Sequence, residues 1–137
     1  MSSRTKARKR ALDILFGADV RGVTIAAMLD EEAGRAAAQP QRESSWPYAR
    51  EIVEGVEAHL ADIDAEIEAH AQGWPLERMP ALDRALARIA TWEIVYNDEV
   101  PDAVAIAEAV ESARVHSTDD SAGFVNGLLA RIADSRA

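Results

Sequence analysis

The chain has 137 residues, of which 48% are hydrophobic and 28% charged, and its formal net charge at pH 7 is −9. This length favours one domain, or two small halves that share a core. Because the sequence has no cysteine, disulfides, thiolate metal sites and thiol nucleophiles are excluded, and we expect a cytoplasmic protein. The apolar runs are far shorter than the ~20 residues of a membrane-spanning helix, so no membrane partner is expected.

The first element is a basic arm, residues 1–10, which overlaps a helix predicted over about residues 4–19 and ended by Gly22. The arm has a charge of +5, whereas the other 127 residues hold 10 basic and 24 acidic side chains, a charge of −14. Such a separation of charge calls for an explanation. The cations of the arm are Arg4, Lys6, Arg8, Lys9 and Arg10.

A helical arm of this composition is unfavourable by itself. Cations at a helix N-terminus oppose the helix dipole at a cost of about 0.3–1 kcal/mol each, and Arg4 with Arg8 places like charges four residues apart. Nothing nearby in the sequence offsets this cost. RNA phosphates would offset it, so we predict an arm that is frayed alone and becomes ordered on RNA. The alternative is a disordered tail that only improves solubility.

Apolar spacing predicts helices along the rest of the chain and no strand. Thr24 is the predicted N-cap of a second helix, and residues 36–45 are the predicted loop after it. Pro47 suits the first turn of a third helix. A fourth helix is predicted to begin after Asp62.

Glycine and proline then divide the chain. Gly73 and the prolines that follow it predict a break with a short helical turn, and a fifth helix is predicted over about residues 81–97. Asp102 is the predicted cap of a sixth helix, and residues 117–120 supply caps for the last one. These seven or so helices predict an all-α bundle, with one three-helix unit on each side of Gly73.

Motifs for catalysis are absent, so we predict no enzyme activity, no catalytic residue, no cofactor and no metal site. His70 lies four residues after Glu66, and the two could share a metal ion, but a solvated surface pair is the plainer interpretation. Asp119 and Asp120 have the side chains for acid–base chemistry. Capping of the last helix explains them more simply.

Two further features depart from the local rules. Glu93 lies on or beside an apolar stripe with Leu86 and Ile89, where a carboxylate needs a partner. Asn126 and Gly127 interrupt the last helix with poor helix formers, which suggests that another helix passes closely there and that the Asn126 amide is this partner. A purely architectural role for both features is the alternative.

Four segments, taken in order, carry a family resemblance: residues 7–16 (ARKRALDILF), 82–94 (LDRALARIATWEI), 100–110, and 117–129 with its FVNG sequence. They resemble the basic first helix, the central helix, the next helix and the ending of the NusB family of bacterial transcription antitermination factors. Order and spacing match over essentially the whole chain.

The resemblance implies an all-α fold of two three-helix subdomains, about residues 1–73 and 74–137, without catalysis. Members of the family pair with the small-subunit ribosomal protein that doubles as NusE. The pair binds the boxA element of ribosomal RNA leaders and so connects indirectly with other Nus factors and RNA polymerase. That RNA is single-stranded, so contacts combine phosphate pairing with base stacking. Some members form homodimers, and the sequence leaves this state open.

The resemblance also assigns roles to residues. RNA phosphates would lie at all five cations of the basic arm, with further RNA contacts at Asp120 and Phe124. Phe124 would stack on a base, or else pack at the start of the last helix. Phe16 and Asp83 match positions used against NusE. The positions matched by Arg88 and Glu93 are structural, whereas Ala107 and Arg114 replace the asparagine and lysine that are common in the family.

Two other functions remain as alternatives at this point. One is an RNA-recruiting module related to the domain that precedes ribosomal RNA cytosine methyltransferases, but the sequence ends at Ala137 without a catalytic domain. The other is a helical dimerisation protein that binds no RNA. The basic arm decides between that protein and an RNA-binding adaptor.

Overall fold

The computed structural model describes residues 2–39 and 44–137, and these residues form seven α-helices and no strand. A short 3-10 helix at Leu76–Arg78 lies between the fourth and fifth α-helices. The all-α prediction is therefore confirmed. The α-helices are α1 (Ser3–Arg21), α2 (Ile25–Ala37), α3 (Trp46–Ala58), α4 (Leu60–His70), α5 (Ala81–Tyr96), α6 (Asp102–His116) and α7 (Asp119–Asp134).

Local sequence signals set several helix ends. Gly22 ends α1 in the left-handed conformation, with φ at 67°, and its N–H donates to the carbonyls of Ala18 and Asp19. The Thr24 side chain accepts the N–H of Ala27 and caps α2. These two predictions are confirmed.

Other boundaries differ from the prediction. Ser2 caps α1, so the basic arm is helical from Ser3 and not frayed. Pro101 precedes α6, and Asp102 is the first residue of that helix rather than its cap. The fourth helix begins at Leu60, before Asp62 rather than after it. His59 is both the C-cap of α3 and the N-cap of α4.

The loop predicted over residues 36–45 begins later than expected and ends where it was predicted to end. Its first two residues belong to α2, which ends at Ala37, and α3 begins at Trp46. Residues 40–43 lie outside the described part of the chain. Within the final cluster, Thr118 is the residue that caps α7, since its side chain accepts the N–H of Ser121.

Helix α5 is the centre of the fold. It packs against α1, α3, α4, α6 and α7, and most of its residues are buried. The approach of α3 is especially close, because a Cβ on Gly55 would lie 2.1 Å from the Trp92 indole nitrogen. At the other side, the Arg88 guanidinium forms two hydrogen bonds with Asp64 of α4, at 2.8 and 2.9 Å. Arg88 thus has the structural role that was expected of it.

Candidate nucleic-acid interface

The basic arm forms the first turns of α1, and its apolar residues place this helix in the core. Ala7 and Ala11 are fully buried beneath α3 and α5. The five cations therefore emerge around the sides and the outer face of a fixed helix. Their surroundings differ from one cation to the next.

Arg8 is largely enclosed, with 11% of its side chain exposed. Its Nε lies 3.0 Å from both carboxylate oxygens of Glu93 on α5, and Nη1 lies 3.1 Å from Glu108 on α6. Glu93 is 1% exposed, so the pair with Arg8 supplies the charge that its burial requires. Charged groups of α5 and α6, distant in sequence, thus offset the cost of the basic helix, which nothing nearby in the sequence was expected to do.

The partner predicted for Glu93 was wrong. Asn126 is exposed on α7, and the nearest group to a Cβ on Gly127 would be the Arg131 side chain, not a crossing helix. The close crossing occurs at Gly55 instead. Sequence reasoning missed these contacts because the real partner, Arg8, lies 85 residues before Glu93.

Tyr48 completes the cluster around Glu93. Its hydroxyl donates a hydrogen bond to the Glu93 carboxylate and accepts one from the Asn97 side-chain amide at 3.0 Å. Burial, together with the neighbouring carboxylate, raises the pKa of Tyr48 well above its usual value. The cluster therefore holds one carboxylate, one guanidinium and one neutral phenol.

The side chains of Arg4 and Lys9 are more exposed than that of Arg8. Arg4 lies 3.1 Å from Glu99 and 4.3 Å from the centre of the Tyr48 ring, and Lys9 lies 2.6 Å from Asp13. Lys6 is exposed. Arg10 donates to Ser45 at 3.1 Å and lies over the ring of Trp46.

Asp120 and Phe124 both lie on α7. Asp120 is exposed in the first turn of the helix. Phe124 is partly exposed and meets Trp74 edge to face, with ring centres 4.7 Å apart. Trp74 was missed by sequence reasoning, although a tryptophan beside the break at Gly73 was a signal that could have drawn attention to it.

Of the two positions predicted to face a protein partner, one is exposed and the other is buried. Phe16 is exposed on α1, one turn before the exposed Val20. Asp83 is buried, and its carboxylate accepts hydrogen bonds from Ser117 at 3.2 Å and Ser121 at 2.9 Å. Because the Asp83 carboxylate is enclosed, it cannot contact a partner directly in this conformation. It joins α5 to the start of α7.

The described residues offer little for other kinds of site. They contain no group of three or more histidine or acidic side chains that could hold a metal ion. His70 and Glu66 are 3.7 Å apart as an isolated pair. None of the described helices is both long and apolar enough to cross a membrane.

Comparison with known proteins places these features in a family. The model of the NusB family matches residues 5–134. The chain belongs to the NusB family. A relative in Leifsonia xyli subsp. xyli, named transcription antitermination protein NusB, is 65% identical over 136 residues, which make up 99% of this chain and 94% of the relative.

Solved structures share the fold of this NusB family member. T. maritima NusB superimposes with a TM-score of 0.81 at 31% identity, covering 96% of this chain and 90% of that one. A crystal structure of the antitermination factors NusB and NusE in complex with dsRNA superimposes with a TM-score of 0.85 at 22% identity, covering 98% of each chain. This second likeness concerns the fold alone.

Proposed function

We propose that the chain is a transcription antitermination factor that binds single-stranded boxA RNA of ribosomal RNA leaders together with NusE. It would act in the cytoplasm, without catalysis, and reach other Nus factors and RNA polymerase through this complex. Names of close relatives in the NusB family support antitermination. The observation that carries RNA binding is the set of cations on α1 of an otherwise strongly acidic chain.

The structure divides the arm cations into two groups. Arg8 is enclosed by Glu93 and Glu108, so we assign it to holding α1 in position. Arg4, Lys6 and Lys9 are more exposed than Arg8, and with Arg10 they would bind RNA phosphates. Phe124, with Trp74 beside it, would stack on bases. The acidic surface elsewhere would repel RNA and restrict binding to these residues.

A salt titration tests the electrostatic part. Four phosphate contacts with single-stranded RNA predict that the logarithm of the binding constant falls with the logarithm of salt concentration at a slope of roughly −3. We would measure this with a boxA oligonucleotide and the complex with NusE. Lys6→Gln should make the slope less steep by about 0.7, because it removes one phosphate contact.

Two results would speak against this function. A slope near zero would show that the basic arm does not pair with phosphates. Equal affinity for boxA and for a duplex of the same sequence would remove the preference for single strands. The duplex is worth measuring because a solved structure of this fold contains dsRNA.

A second prediction concerns the face that binds NusE. Phe16→Ala should weaken association with NusE by about tenfold in calorimetry, since an exposed aromatic side chain at an interface commonly contributes more than 1 kcal/mol. Val115→Ala, an exposed apolar change on α6, serves as the control and should leave the affinity unchanged. Equal effects of the two changes would remove Phe16 from the interface.

Asp83→Lys is a poorer test of the same interface. Because the carboxylate of Asp83 is buried beside Ser117 and Ser121, the change would first disturb the junction of α5 and α7. We propose that any role of Asp83 in partner binding is indirect, through the position of that junction.

A further inference from the structure

Two of the arm cations that we assign to RNA already carry a carboxylate partner. Arg4 pairs with Glu99 at 3.1 Å, and Lys9 pairs with Asp13 at 2.6 Å. Both pairs are open to solvent: the side chains are 43% and 77% exposed in the first and 44% and 62% in the second. They differ in this respect from the enclosed pair of Arg8 and Glu93.

The carboxylate of Glu99 comes from a segment that the fold holds in place. Glu99 lies between α5 and α6, and its backbone N–H donates to the Asn97 side-chain oxygen at 3.1 Å. The amide of Asn97 in turn donates to the Tyr48 hydroxyl, and Asn97 is buried. The Tyr48 ring also lies under the Arg4 guanidinium. Glu99 is thus positioned beside Arg4 before any ligand arrives.

Asp13 reaches Lys9 in a simpler way. The two residues are four apart on α1, so their side chains lie on the same face of the helix. The helix is fixed by its buried side, which keeps this spacing. The two carboxylates therefore occupy the positions at which RNA phosphates would approach Arg4 and Lys9.

Exposed ion pairs of this kind are weak, at about 0.2–1 kcal/mol each, so a phosphate can displace the carboxylate. Breaking each ion pair nevertheless makes the free energy of RNA binding less favourable by that amount. We propose that Glu99 and Asp13 compete with RNA phosphates for Arg4 and Lys9, and so lower the affinity for every RNA. This inference rests on the proposed function. The cost is common to all RNAs that use these two cations, so it weakens phosphate-only binding without changing the ratio of affinities between two such RNAs.

Charge-neutral variants of the two carboxylates test the proposal in the full chain, with a single-stranded boxA oligonucleotide as the probe. Glu99→Gln and Asp13→Asn should each raise RNA affinity by about 1.5- to 5-fold at low salt, and the double variant should multiply the two gains. The gains should shrink towards 0.5 M salt, because exposed pairs are screened there. Circular dichroism should show unchanged helicity.

Glu31→Gln is the matched control. Glu31 lies on α2 and pairs with Arg21 and Arg35 in exposed ion pairs, at the opposite end of α1 from the arm. The change alters net charge by the same amount but should raise RNA affinity less than either test variant. If the gains of the test variants do not exceed that of Glu31→Gln, only net charge matters and the proposal is overturned. Weaker binding in Glu99→Gln or Asp13→Asn overturns it as well, since the carboxylates would then be positioning the cations.

Lys6→Gln separates failure of this proposal from failure of the proposed function. If Lys6→Gln weakens RNA binding while the test variants match the control, the arm binds RNA and only the competition is refuted. If Lys6→Gln and the corresponding glutamine variants of Arg4, Lys9 and Arg10 all leave RNA binding unchanged, the basic arm is not the RNA site, and both proposals fall.

Discussion

Tyr48 shows how a single hydroxyl connects the basic arm to the core. It donates to the buried Glu93 carboxylate, accepts from Asn97, and presents its ring to Arg4. Burial and the Glu93 charge favour the neutral phenol, which raises the pKa of Tyr48. The folded protein therefore binds the phenolic proton more tightly than the unfolded chain does.

This linkage predicts a loss of stability in alkali. The contribution from the raised pKa is fully present below pH ~10, the unfolded value for tyrosine, and is lost as pH rises further. The free energy of unfolding should therefore fall more steeply above pH ~10 in the wild-type protein than in Tyr48→Phe. At pH 7 the variant should be less stable by about 1–3 kcal/mol, because it loses a hydrogen bond to a charged group. Urea titrations at several pH values measure both effects, and parallel profiles would contradict the linkage.

Individual residues of the candidate site were predictable where the signal was local. The cations of the arm stand together in the sequence, and the resemblance to the NusB family pointed to Phe124. Glu108 and Glu99 gave no such signal, because they meet their partners only through the fold, and Trp74 had only its place beside the break at Gly73. The mistaken choice of Asn126 has the same cause: a buried carboxylate requires a partner, but local sequence does not say which one.

The contact between α3 and α5 depends on a residue without a side chain. A Cβ at Gly55 would lie 2.1 to 2.9 Å from three atoms of the Trp92 indole, which is buried. Gly55→Ala should therefore lower the free energy of unfolding by about 1–3 kcal/mol through overpacking. Chemical denaturation followed by circular dichroism measures the change.

Gly34→Ala is the matched control for that substitution. Gly34 lies within α2, where a Cβ would meet no atom within 4 Å. The same change should here raise stability by about 0.5–1 kcal/mol, since alanine favours a helix. Changes of the same sign in both variants would show that helix propensity, not the fit against Trp92, determines the result.

The helices themselves were predicted well because their signals are local. Apolar spacing located all seven, and Gly22 and Thr24 marked the ends of α1 and α2. The boundary between α3 and α4 was less accurate, since His59 joins them without a glycine or proline. The prediction of a frayed arm was wrong for a different reason. Acidic residues on other helices stabilise α1, whereas the helix dipole argument considers only the helix itself.

Across the molecule, α5 packs against helices from both predicted halves. It contacts α1 and α3 on one side of the chain break at Gly73, and α6 and α7 on the other. We propose that the halves on either side of Gly73 unfold as one unit. Circular dichroism, which reports on all helices, and the fluorescence of a Trp46→Phe, Trp74→Phe variant, which keeps only the buried Trp92, should give coincident urea transitions. Separate midpoints would establish two independent halves.

The order of synthesis delays the long-range ion pairs of the arm. Glu93, Glu99 and Glu108 meet their arm partners across 85, 95 and 100 residues of sequence. Since synthesis proceeds from the N-terminus, the arm emerges long before these acids do. A nascent chain therefore carries Arg4 and Arg8 without these carboxylates until most of its length has left the ribosome. Only then does the emerging protein acquire the carboxylates that neutralise them.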